Sequence, residues 1–132
     1  MTNASRAYAR VRNETASKER LMVLLFETAL RHMRLAAAAL DKKDNRSADV
    51  SLGKASAIVS ELLSTLDKAR APQLFDNLSA VYVFTADRLM RGRLSRSSAL
   101  VREAERVFAP VAEAFAEAVK QVESGQAAQA PR

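Results

Sequence analysis

Apolar residues return every three or four positions along four long blocks of this chain, and nowhere do they alternate as in a strand. That period is the mark of amphipathic helices. The composition agrees. Three glycines and three prolines in 132 residues leave little to break a helix, and alanine, the residue that costs least in one, is abundant. The length suits one domain with a real core. With no cysteine, disulfides and thiolate metal sites are excluded.

Local signals place the helices. Ser17 is a candidate N-cap with Glu19 in the first turn, so helix one runs from about Lys18 to Leu40. The loop 41–47 is polar, and Ser47 can cap a second helix from about Ala48 to Ala69. Pro72 suits the first turn of a third, reaching about Met90, with Gly92 as its C-cap. A fourth runs from about Ser98 to Val122. Short connections make neighbours antiparallel. The expected fold is all-α: an up-down-up-down four-helix bundle over residues 17–123, with a polar N-terminal arm (1–16) carrying Tyr8 and a flexible tail (124–132).

The faces are unequal. Helix four is two-sided, with Val101, Ala104, Phe108, Val111, Phe115 and Val119 on one stripe and charges off it. Helix one is apolar on most sides. Leu21 to Phe26 is an unbroken apolar run. A core stripe through Leu21, Leu25, Thr28, Ala29, His32 and Ala36 leaves Val23, Phe26 and Leu30 over. Helix three has a stripe of Leu74, Leu78, Val81, Tyr82, Thr85 and Leu89, with Val83, Phe84 and Met90 spare; helix two uses Ala55, Ile58, Leu62 and Leu66. The run at Leu21 is interrupted by Glu27, Arg31 and Arg34, short of the ~18 apolar residues a membrane span needs. No signal-peptide cleavage site follows it, so a soluble cytoplasmic protein is expected, without membrane insertion. Surplus apolar surface on a soluble chain then points to more central burial or to a groove for a partner helix.

Chemistry is absent from the pattern. The one histidine, His32, sits on an apolar face, and no Glu-x-x-His pair exists, since Glu27 is followed three positions later by Leu30. A buried histidine with a satisfied hydrogen bond is the plain reading, and no metal or other cofactor is expected. Serines fall at helix starts and connections, where capping explains them. Three scattered glycines cannot build a phosphate loop. The pairs Glu103/Glu105 and Glu113/Glu117 lie on the solvent side of helix four. No catalytic residue and no enzyme activity are expected.

The net charge is +6, and Arg6, Arg10 and Arg12 flank Tyr8 while Arg88, Arg91, Arg93 and Arg96 cluster near the third connection. Phosphate contacts would explain both groups. So would solvation, helix dipoles and protein partners. A small basic nucleic-acid-associated or regulatory protein is therefore the alternative reading, although nucleic acid is not the expected partner.

Several segments, in order, resemble the FliS family, the flagellin-specific export chaperones. They are "AY" with Tyr8; "TAS" at 15–17; "LMVLLFETAL", like the family's L-x-x-x-L-Y-x-x-A-L; "GKASAIVSELLSTLD", like K-A-x-x-I-x-x-x-L; and "LFDNLSAVYVFTADRLMRG", like L-x-x-L-Y-x-Y-x-x-x-R-L. The resemblance spans about residues 7–120. It implies a cytoplasmic chaperone that binds the disordered C-terminal segment of flagellin in an apolar groove, prevents premature polymerisation and delivers it to the flagellar type III export apparatus. Partners so implied are flagellin, an export gate component, and a co-chaperone or flagellar regulator. An adaptor for another secreted substrate would use the same scaffold. Carried over by position, Lys54, Ala55, Ile58, Leu62, Leu78, Tyr82 and Leu89 would line or support the groove, and Tyr8 would belong to an arm that competes for it. Phe26 would touch groove or arm. Phe26 and Phe84 stand where the family usually has Tyr, losing a hydroxyl at each, and Phe115 stands near a common Trp.

Overall fold

Helix formation begins well before the capping signal at Ser17. The computed structural model describes residues 2–68 and 72–129, with side chains described to residue 125. In it α1 spans Asn3–Asp41 without a break. Thr2 is its N-cap, the side chain accepting from the Ser5 N–H at 3.2 Å. The expected separate arm is thus helix. Residues 3–16 contain no Gly or Pro and many good helix formers, so nothing stops the helix there.

The other elements are α2 (Asn45–Ser64), α3 (Pro72–Ser95) and α4 (Ser98–Gln129). Asp44, not Ser47, caps α2, its carboxylate accepting the Ser47 N–H at 3.2 Å. That bond holds the Asp44 pKa below the usual carboxylate range. α2 stops at Ser64, short of Ala69, which itself lies outside the described residues. α3 starts at Pro72 as anticipated but passes Met90 to end at Ser95, and α4 passes Val122. Pro110 faces outward within α4.

Two hairpin turns share one geometry. After α1, Lys43 takes a left-handed φ of 58°, its N–H donates to the Leu40 carbonyl, and the Asp44 N–H donates to Ala39. After α3, Arg96 has φ 55°, with Arg96 and Ser97 N–H groups donating to Arg93 and Gly92. Each is a Schellman closure whose next residue caps the following helix, Asp44 for α2 and Ser97, which accepts from Leu100 N–H, for α4. Gly92 is therefore inside α3, not its cap. It serves a close approach: a Cβ there would lie 2.8 Å from Val101 Cγ2 of α4.

Each helix packs on its neighbours in sequence, and α4 closes back on α1. The pairs Arg20–Glu123, Arg34–Glu105 and Asp41–Arg102 run in opposite order along α1 and α4, so the two are antiparallel. At 1.5 Å per residue α1 is about 58 Å long and α2 about 30 Å, so the first turns of α1 extend past the α2–α3 end of the bundle.

The core corrects the register expected for α1. Phe26, Ala29, Leu30, Met33, Ala36, Ala37 and Leu40 are buried, whereas Leu21 is 56% exposed. The expected surplus, Phe26 and Leu30, is core. The reason is aromatic. Phe26 lies 5.5 Å from Phe108, 5.3 Å from Phe115 and 6.4 Å from Tyr82, ring centre to ring centre. Such tilted pairs add about 0.5–1.5 kcal/mol each beyond burial, which sets the helix rotation against a weak apolar bias elsewhere. In α2 the buried set is Ala48, Ser51, Leu52, Ala55, Val59 and Leu62; Ile58 and Leu66 only pack against it from the side. In α3 Tyr82, Thr85 and Leu89 are buried and Leu74 is exposed. The buried Thr85 hydroxyl donates to the Val81 carbonyl at 2.7 Å.

Candidate functional site

Where α2 ends and α3 begins, the bundle is open. An apolar groove of about 500 Å³ lies there, within the ~300–1,000 Å³ usual for binding pockets. All four helices contribute. Phe26, Leu62 and Tyr82 form its buried floor, Met22, Leu66, Phe75, Leu78, Val111 and Phe115 its partly covered walls, and Leu74 an exposed rim. Ala114, Thr65 and Asp67 complete it.

The opening follows from local sequence. α2 stops at Ser64, where Thr65 turns its hydroxyl onto the Leu62 carbonyl at 2.9 Å. Past that point no α2 residue covers the aromatic cluster. The apolar side chains of the first α3 turns, Leu74, Phe75 and Leu78, then face a space that too few of the described residues fill.

Polar groups are few. Burial raises the Tyr82 phenol pKa to about 12. The side chain is almost wholly buried in the groove floor, which is the cause of that shift. Nothing here resembles a catalytic pair, and among the described residues no group of three or more His, Asp or Glu could hold a metal. The arrangement can bind apolar side chains, with Tyr82, Thr65 and Asp67 as the polar residues of its lining.

Of the residues singled out in the sequence, Phe26, Leu62, Leu78 and Tyr82 meet in the groove. Ala55 and Leu89 are buried elsewhere in the core, Ile58 packs on the core edge, and Lys54 is exposed on α2. Tyr8 is 70% exposed on the extension of α1, with the Arg12 guanidinium 6.0 Å from its ring. It stands about 21 Å along the helix from Met22, out of reach of the groove in this conformation. Met22 and Phe75 were not legible as wall residues. The available signal was the doublet Leu74–Phe75, two large apolar residues one turn inside a helix start.

His32 also differs from expectation. Its Nδ1 is buried without a hydrogen-bond partner. Desolvation, then the nearby Arg31 and Lys54 charges, lower its pKa. The arginine cluster is paired within the fold, four guanidiniums sharing three carboxylates. Arg88 pairs with Asp87 and Glu103, Arg91 with Asp87, and Arg93 and Arg96 with Asp49. Arg88 also lies 4.4 Å from the Phe84 ring centre. These pairs hold Asp49 and Asp87 below the usual carboxylate range, through hydrogen bonds from Arg96 and Arg91 first.

Comparison with known proteins decides the family. The sequence profile described as "Flagellar protein FliS" matches residues 1–122. The chain belongs to the FliS family. It is 28% identical over 120 residues to the flagellar secretion chaperone FliS of Escherichia coli (strain K12), covering 87% of this chain and 88% of that one. It is 27% identical over 118 residues to the flagellar secretion chaperone FliS of Bacillus subtilis (strain 168), covering 89% and 87%. FliS is a chaperone family, not a class of enzymes. Among the described residues no helix is long and apolar enough to cross a membrane.

Proposed function

We propose that this FliS-family chain is a flagellin export chaperone acting in the cytoplasm. It holds the disordered C-terminal segment of flagellin, keeps it from polymerising, and hands it to a component of the flagellar type III export gate. The observation that carries this reading is the apolar groove between Phe26, Leu62, Leu78 and Tyr82, open at one end of a bundle that otherwise closes on itself. A groove with an apolar floor and almost no charge suits a segment that folds on binding and presents apolar side chains at helical spacing. Most of the family-matched groove positions lie on α2 and α3, the helices that bound the opening. A client docked there and the Tyr8 segment in an unwound α1 would compete for the same floor.

The test is co-purification with the flagellin C-terminal segment. The expected result is a stoichiometric complex that persists at high salt, since apolar contact is screened little. Leu74→Asp and Leu78→Asp, at the rim and wall, should lose it while keeping their helicity. A full-length flagellin that binds equally well without its C-terminal segment would refute the proposal. The nucleic-acid alternative loses one of its two supports, because Arg88, Arg91, Arg93 and Arg96 each already face a carboxylate, while Arg6, Arg10 and Arg12 stand exposed on α1.

A further inference from the structure

The opposite end of α2 carries a different surface. Between α1 and α2 lies a shallow depression of about 520 Å³. Leu35 and Val50 stand exposed on its two sides, and the small side chains of Ala38, Ala39 and the buried Ser51 also line it. Small residues between two larger apolar ones leave room for a side chain from outside. Lys42 and Arg46 sit on its rim.

The charges around it are unbalanced. Neither Lys42 nor Arg46 is in a salt bridge among the described residues. Of the carboxylates nearest to them in sequence only Asp44 lines the depression, where the Lys42 charge also acts on it. Asp41 pairs with Arg102, Asp44 caps α2, and Asp49 is held by Arg93 and Arg96. Two cations, Lys42 and Arg46, against the single carboxylate of Asp44 leave a positive excess around the depression.

We propose that the tip of the α1–α2 hairpin is a second docking surface, for an acidic amphipathic helix of a partner protein. The partner's apolar face covers Leu35 and Val50 and places a large side chain over Ala38 and Ala39. Its flanking carboxylates pair with Lys42 and Arg46, which supplies orientation and speeds encounter. A phosphate polymer would use the two cations but has no use for the apolar centre. The surface is independent of the groove, because Val50 and Leu62 are about 18 Å apart along α2. Both can be occupied at once.

A fluorescein-labelled helical peptide with leucines at i, i+4, i+7 and i+11 and glutamates on the flanking positions serves as probe. The expected result is saturable binding, measured by anisotropy, to the full chain. Leu35→Ser/Val50→Ser and Lys42→Glu/Arg46→Glu should each weaken it by about tenfold or more, and Leu78→Asp in the groove should leave it unchanged. A lysine-flanked version of the peptide should bind the Lys42→Glu/Arg46→Glu variant better than wild type. All four positions are exposed, and if the serine pair fails to fold the charge pair still decides. Absence of peptide binding overturns the proposal. So does binding lost in Leu78→Asp and kept in both tip variants, which would place the peptide in the groove. A duplex DNA bound through Lys42 and Arg46 in preference to the peptide would assign the tip to nucleic acid instead.

Discussion

Replacing Gly92 by alanine should destabilise the bundle, although the same change in a helix interior ordinarily does the reverse. Alanine is favoured over glycine in a helix by about 0.8–1.0 kcal/mol. At Gly92 a new Cβ would meet Val101 Cγ2 at 2.8 Å and the Ser97 carbonyl oxygen at 3.2 Å. Neither neighbour can easily move. Val101 is fully buried, and a β-branched side chain in a helix has one strongly preferred rotamer. The Ser97 carbonyl accepts the Val101 N–H in the first turn of α4. Overpacking of this kind costs about 1–3 kcal/mol. The difference is a net loss of about 1 kcal/mol. Gly53 is the internal control: it lies inside α2 with nothing within 4 Å of where a methyl group would stand, so Gly53→Ala should gain about 0.5–1 kcal/mol. Urea unfolding followed by far-UV circular dichroism measures both, with an unchanged slope confirming that the denatured state is comparable. Adding Val101→Ala to Gly92→Ala should cost less than the two single changes summed, by at least about 0.5 kcal/mol. Equal stabilisation at both glycines would show that α3 and α4 do not approach each other closely at this turn.

Three further outcomes follow from the groove and its surroundings. Phe26→Ala should cost about 3–5 kcal/mol in thermal or chemical unfolding, since the ring is 2% exposed and touches three others. Phe26→Tyr should cost under about 1.5 kcal/mol because the groove can solvate the hydroxyl, and a loss as large as that of alanine would mean a sealed ring. Tyr82 should ionise late, near its pKa of about 12, in an ultraviolet phenolate titration, and Tyr82→Phe should remove that step. As the folded pKa is above the unfolded value, the folded state keeps its proton longer, and stability is full below about pH 10 and falls as pH rises through 12. His32 should titrate below 6.5 by nuclear magnetic resonance, and Lys54→Ala should bring it closer to that value. Its depressed pKa makes the neutral ring the folded form, so its contribution is present above pH 6.5 and is lost as pH falls through the folded pKa. A His32 midpoint above 6.5 would contradict the burial that causes the shift.

Helix count, antiparallel order and the two-sided face of α4 were legible because they depend on period and on Pro72. Val101, Ala104 and Phe108 are buried as their spacing requires. The rotation of α1 was not legible, because a helix that is apolar on most sides has several nearly equivalent faces. A one-position turn moves Leu21 out and Phe26 in, and only the rings of Tyr82, Phe108 and Phe115, on other helices, decide it. Helix ends failed for a similar reason. Ser17 and Ser47 can cap, but Thr2 and Asp44 do, and a side chain that can cap also tolerates a helix interior. At the turns, Lys43 and Arg96 occupy the left-handed positions where glycine is the usual signal, so Gly92 drew the expectation away from the true ends.

The groove was half legible for a deeper reason. Its floor residues, Phe26, Leu62 and Tyr82, are core residues, and a sequence pattern cannot separate the inner face of a core side chain from an outer one. The same overlap governs how the site should be tested. Truncating Phe26 removes packing and binding surface together, so a lost complex would say little about which was lost first. Leu74 and Leu78 are different. Leu74 is 56% exposed, and Leu78 is only partly buried where it packs on the edge of the core. A charge at Leu74 should leave unfolding within about 0.5 kcal/mol of wild type, as surface changes usually do. If it nevertheless abolishes capture of the flagellin segment, the first turns of α3 contact the client directly, and the loss is one of binding surface and not of fold.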